Sequence, residues 1–324
     1  MNNKEDIANW LKNHGVYGVT IHEDLTVDVN GDVNLFNKGL TDIPIQFGVV
    51  AGIFDCGFNK LTSLLGCPQK VGKYFGCSNN LLTSLEFCPE EVNGAFLCAQ
   101  NQLESLKYSP FKIGGYYSCP NNRLKNLKYA PQVINGNFDC SNNDLVNLEN
   151  GPIKVTENYN CSNNKLVSLK GCPQEIEGYF YCNYNKLTSL EYGPIMIKGD
   201  CSIISNKLQS LKFCPKIING GFYINANNLS VIDYLPEYIG EDLILHDNQL
   251  KHILISMCNV KGNIYHEINT PPLLHDLVDY YERDAYNINK YTLRMPGSEL
   301  SYLLLKKKMD LQLPTKIDKP KRKI

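Results

Sequence analysis

The chain has 324 residues with 32 Lys+Arg against 33 Asp+Glu, a formal net charge of −1 at pH 7. That balance removes any general attraction for nucleic acid or an anionic membrane surface. No apolar run approaches the ~20 residues a membrane span needs. The polar opening MNNKEDIANWLKNHG has no apolar h-region, so no secretory signal is expected and the cytoplasm is the expected compartment (a host's, were the chain viral).

Residues 3–13 predict a short amphipathic helix with Ile7, Trp10 and Leu11 on one face. Gly15 is placed to end it in a left-handed conformation. Val19–Ile21 and Leu25–Val29 alternate like half-buried strands around a His22-Glu23-Asp24 turn. Gly39 to Pro44 reads as an irregular first repeat. Its asparagine, Asn37, stands one place too far ahead of Asn59 for the period, predicting a slip in register. Residues 1–49 are therefore expected to cap the open first edge of the repeats that begin at residue 50.

From residue 50 to 254 one unit recurs every 21 residues. Asn59, Asn80, Asn101, Asn122, Asn143, Asn164, Asn185, Asn206, Asn227 and Asn248 keep one unbroken register. A β-branched column runs from Val50 through Val71 and Ile134 to Ile239. Four residues on, an aromatic column runs from Phe54 to Phe222, broken by Cys201. Two further on stand Cys56, Cys77, Cys98, Cys119, Cys140, Cys161 and Cys182. Leucines follow at Leu61 to Leu250, and a proline closes nearly every unit. A period of this length predicts a solenoid in which no unit folds alone, because burying about five apolar side chains cannot offset the order imposed on a whole unit.

The stretch Cys140-Ser-Asn-Asn143-Asp-Leu145-Val-Asn-Leu148 resembles the leucine-rich-repeat core LxxLxLxxNxL, with aromatic and cysteine columns in place of the strand leucines. The resemblance covers residues 30 to 255. It implies a repeat solenoid: a right-handed parallel β-sheet horseshoe whose convex side, with so many prolines, is extended or 3₁₀. The unit is also similar to arrays common in uncharacterised proteins of large tailed phages. Beyond Ile253 the register is lost in the sequence. Pro271–Tyr286 and Glu299–Leu311 predict helices of a C-terminal cap over 255–313, and 314–324 is a basic tail expected to be disordered.

Eleven of the thirteen cysteines follow two repeat positions, which points to packing rather than to disulfides or a metal. No metal site and no cofactor are expected. His246, beside Asp247 near the concave surface, is read as a solvated side chain, and no phosphate-binding glycine motif is present. An inward asparagine carries the donors and acceptor to satisfy the turn after each strand and the neighbouring rung.

The outward strand positions, unlike the core columns, vary from rung to rung. Tyr74, Tyr116, Asp139, Asn158, Tyr179, Tyr181, Asp200, Tyr223 and Asp242 are the candidate contact residues on the concave face. Tyrosine and asparagine are adaptable contact residues, and aspartates without lysine disfavour a phosphate backbone. The family resemblance likewise implies protein recognition. The expectation is a non-enzymatic scaffold for a protein partner, with no small-molecule substrate, nucleic acid or membrane. A phage-encoded host-interaction factor and a structural virion or surface component are the alternatives. A leucine-rich-repeat ubiquitin ligase would need a nucleophilic Cys-x-Asp, and after the array only Cys258 remains, followed by Asn259-Val260.

Overall fold

The computed structural model describes residues 3–250, 252–253, 259–267 and 292–296. The expected C-terminal helices, Cys258 and the basic tail lie outside these residues.

The chain is a leucine-rich-repeat solenoid. Two-residue strands at Val33–Asn34, Phe54–Asp55, Phe75–Gly76 and onward to Leu243–Ile244 pair in parallel, each one full repeat after the last. Their inward residues form the aromatic and cysteine columns. Neighbouring rings of Phe54, Phe75, Phe96, Tyr117, Phe138, Tyr159 and Phe180 lie 5.2 to 6.1 Å apart, centroid to centroid. The cysteines fill the narrow space behind them, fully buried and unbridged. Several of these thiols donate to a carbonyl of the next rung, as Cys140 Sγ does to Asn160 O at 3.4 Å.

The β-branched column is a second line of parallel bridges in three segments, from Phe47–Val50 through Lys70–Val71 and Glu91–Val92 to Lys112–Ile113, then Val133–Ile134 with Lys154–Val155, then Glu175–Ile176 onward to Asn259–Val260. Each rung therefore bends sharply between two short strands. The return path is extended: among the described residues it contains no 3₁₀ or α-helix. A tight turn closes the returns from Leu64 to Cys214, as where Cys67 N–H donates to Leu64 O at 2.9 Å.

The N-terminal edge is covered as the sequence suggests. Asn3 Oδ1 accepts the Asp6 N–H at 2.8 Å to start the helix Lys4–Asn13, whose Ile7 and Leu11 are buried. A hairpin of Val19–Ile21 and Val27–Val29 then hands its second strand to Phe47–Val50 in parallel.

Three expectations are corrected. The register does not slip at the first rung. Val33 pairs with Phe54, one repeat on, and Asn37 occupies the left-handed position (φ +53°) that Phe58 (+53°) and Asn79 (+57°) occupy later. Lys38, not Asn37, stands where the ladder asparagine would be, because the rung at the open edge has no predecessor to bind. The register also outlives Ile253, since Leu243 pairs with Ile264 and Ile239 with Val260. Finally, the region read only as a helical cap contributes a strand, Thr292–Pro296, which pairs antiparallel with Asn263–Glu267 and ends the long sheet.

Candidate partner-binding face

The asparagine ladder sits inside the scaffold. Every member from Asn59 to Asn248 uses Nδ2 to reach a carbonyl on the preceding rung, and its Oδ1 accepts a main-chain N–H from that same rung. The ladder thus reaches backward along the stack as well as around its own turn, and it contributes to the fold rather than to a binding surface.

The outward residues of the long sheet meet two different demands. Each bend exposes a main-chain N–H that no sheet bond satisfies, and a carboxylate or amide one rung earlier can take it. Asn137 Oδ1 accepts from Asn158 N (3.1 Å) and Asn158 Oδ1 from Tyr179 N (2.7 Å). Asp200 Oδ1 accepts from Gly221 N (2.8 Å) and Asp242 Oδ1 from Asn263 N (2.7 Å). Asp139 Oδ1 instead closes its own strand end on Ser141 N at 2.9 Å. Part of the variation read as recognition is therefore structural. The signal was present in the sequence as Asp or Asn recurring in one column.

The remaining groups gather into one patch. Tyr179 and Tyr181 lie 5.9 Å apart, centroid to centroid, on one rung. Asp200 stands on the next rung, Tyr223 on the one after and Asp242 on the fourth. Burial first, and the Asp200 carboxylate second, push the Tyr181 hydroxyl above its usual range, and the same two causes act on Tyr223, with Glu241 and Asp242 adding to it. Tyr74 is apart from this patch. Its hydroxyl donates to Asp55 Oδ2 at 2.6 Å, and burial followed by that bond raises its pKa. Tyr116 is 41% exposed.

Charge is unevenly placed. On the other faces, cations answer carboxylates one rung away: Lys165 meets Asp144 at 2.6 Å, Lys170 meets Glu149 at 2.7 Å and Lys198 meets Glu177 at 2.6 Å. No lysine or arginine occupies an outward position on the parallel strands of the long sheet from residue 53 to 267. The closing antiparallel strand places Arg294 in register with Tyr265, beyond the last of these rungs.

An exposed aromatic column on the return path was missed in the sequence. Phe87, Tyr108, Tyr129, Tyr192, Phe213 and Tyr234 all hold positive φ, from +53° to +73°, in the tight turn where Gly66 and Gly171 stand on other rungs. Lys107 Nζ lies 4.6 Å from the Tyr108 ring centroid. Their shared register was visible; their exposure was not, because an aromatic column reads as core.

Among the described residues no group of three or more His, Cys, Asp or Glu is placed to hold a metal ion, and no helix is long and apolar enough to cross a membrane.

No protein-family model matches the sequence. No curated protein matches it either. The solved structure of YopM from Yersinia enterocolitica WA-314 is similar, with a TM-score of 0.54 at 20% identity, covering 70% of this chain and 52% of that one. This chain thus spans about half the length of that structure, and the likeness extends to the repeat fold.

Proposed function

We propose that this leucine-rich-repeat chain is a non-catalytic scaffold that binds a protein partner through the outward face of its long sheet. The observation that supports this reading is a contrast within each rung. Core columns repeat from end to end, whereas the outward column changes through tyrosine, serine, asparagine and aspartate on a backbone that hardly changes. Tyrosine offers a large rigid contact area at low entropic cost, and a solenoid presents it on a fixed spacing. The contact residues are Tyr179, Tyr181, Asp200, Tyr223 and Asp242, with Tyr74, Tyr116, Asp139 and Asn158 at the margin. No cofactor, metal or small substrate enters this reading, and the compartment is the cytoplasm.

The experiment is affinity capture from the native host cell with the wild-type chain and with a Tyr179→Ser/Tyr181→Ser/Asp200→Asn variant. Asn at position 200 keeps an acceptor for Gly221 N–H, so circular dichroism and melting should match wild type. A partner retained by the variant would place the interface elsewhere.

A further inference from the structure

The patch on the outward face has an order along the stack: the Tyr179–Tyr181 pair, then Asp200, then Tyr223, then Asp242, one rung each. Both aspartates spend Oδ1 on a main-chain N–H of the following rung. Neither Oδ2 takes part in those bonds. Elsewhere on the surface a lysine meets a carboxylate at the neighbouring rung, yet the parallel rungs of this face carry no Lys or Arg. Among the described residues neither Asp200 nor Asp242 forms an ion pair. The aspartates act on Tyr223, whose phenol is pushed above its usual range by burial first and then by Asp200, Glu241 and Asp242.

We propose that this patch binds an extended polypeptide segment carrying lysine or arginine at every third residue, each cation seated on an aspartate Oδ2 beside a tyrosine ring. The proposal rests on the reading of the sheet face as a partner-binding surface, and it names the chemistry of that partner. The register supports it. Asp200 and Asp242 are two rungs apart, a separation of roughly 9.6 Å at the usual inter-strand spacing. In a polyproline II segment, residues three apart lie on the same side and are separated by about 9.3 Å. Such a segment, laid along the stack, sets two successive cations on Asp200 and Asp242. Tyr181 flanks Asp200 on one side and Tyr223 on the other, so a cation there lies near two π faces. Room for these rings is built in. A side chain at Gly199 would collide with the Tyr179 ring, and one at Gly221 with the Tyr223 hydroxyl.

The test uses the full chain and fluorescence anisotropy. The probe is a labelled twelve-residue peptide of arginine–proline–proline repeats, with glutamate–proline–proline as its counterpart. The arginine peptide should bind, and binding should weaken as ionic strength rises, because the patch is open to solvent. The Asp200→Asn/Asp242→Asn double variant should bind roughly tenfold more weakly, a loss of about 1.4 kcal/mol. Its fold is protected, because Asn137 and Asn158 already perform the same corner bond in this column. A peptide of equal composition with its arginines contiguous should bind several-fold more weakly. Equal binding of the glutamate peptide, or an unchanged affinity in the double variant, would overturn the proposal. Equal binding of the contiguous peptide would overturn the two-rung register. A captured partner that needs Tyr179 and Tyr181 but is not displaced by the arginine peptide would overturn this inference and leave the sheet-face reading standing.

Discussion

Asn143 Oδ1 accepts the main-chain N–H of Leu124 at 3.0 Å, so a side chain on one rung completes the backbone of the rung before it. The same amide donates through Nδ2 to Cys119 O, Cys140 O and Ser141 O, each at 3.1 Å. One buried group thus ties two turns, alongside the main-chain bonds of its neighbours from Asn142 N–H to Ser162 O and from Asp144 N–H to Leu124 O, each at 2.9 Å. Main-chain bonds between rungs continue through the turn, and the buried Leu124 N–H takes its partner from this side chain.

Replacing Asn143 with Ala should therefore cost on the order of 2 kcal/mol, because it orphans the buried Leu124 N–H and takes one of two donors from each of the three carbonyls. Asn143→Asp should cost more, since a carboxylate would face those three carbonyl oxygens with no proton to give. Urea unfolding followed by circular dichroism measures both. A midpoint unchanged in the alanine variant would remove the ladder from the account of stability.

Two tyrosines in the aromatic column should respond oppositely to loss of their hydroxyls. Tyr117 Oη and Ser109 Oγ are bonded at 2.8 Å. Tyr159 Oη is buried without a partner among the described residues, and Gly151 stands where Ser109 does on its rung. Tyr117→Phe should destabilise by about 1 kcal/mol, whereas Tyr159→Phe should be neutral or stabilising by a similar amount. Thermal melts of the two variants side by side decide it, and equal losses would contradict the assignment.

His266 gives the C-terminal end a pH dependence. It occupies the cysteine-column position, is buried, and neither ring nitrogen has a hydrogen-bond partner among the described residues. Burial, with His246 adding to it, lowers its pKa from 6.5 to about 4. The unfolded chain then binds more protons than the folded one between those values, so the contribution is complete above pH 6.5 and is lost as pH falls toward 4. A drop from pH 7 to pH 5 should cost roughly 2 kcal/mol through this residue. His266→Leu, which continues the column from Ile203, Ile224 and Leu245, should flatten that slope in urea titrations at the two pH values. An identical slope in the variant would sink the linkage.

The column thiols should be inert in the folded chain. Burial pushes the Cys98 thiol up to about 12, and it raises those of Cys77, Cys119, Cys140 and Cys161 well above their ordinary value. Little thiolate exists at pH 8, and the thiolate is the reactive form. Titration with an aromatic disulfide reagent should label these positions only after denaturation, as mass spectrometry of the digested protein would read. Rapid labelling of Cys140 in native buffer would mean that the core opens.

Much of the fold was legible because the stack presents each core position about ten times. Val50, Phe54, Cys56, Asn59 and Leu61 each head a column whose chemistry barely changes, and so short a period leaves few ways to bury all five. Repetition also explains what was misread. At the ends each position appears once more in altered form, so Lys38 in an asparagine's place and His266 in a cysteine's place looked like loss of register. Val260 and Ile264, one repeat beyond Ile239 and Leu243, were the surviving trace of that last rung.

The sequence by itself determined the period, the strand, the buried columns and the place of the asparagines, because each is a choice of side chain for a repeated environment. Only the tertiary structure decided which outward polar groups are already occupied. Asp200 and Asp242 look like any exposed aspartates until the bend of the following rung aims an unpaired N–H at each, since that donor comes from a full repeat away along the chain. The same contact across rungs sets which charges on the surface are answered and which are left open.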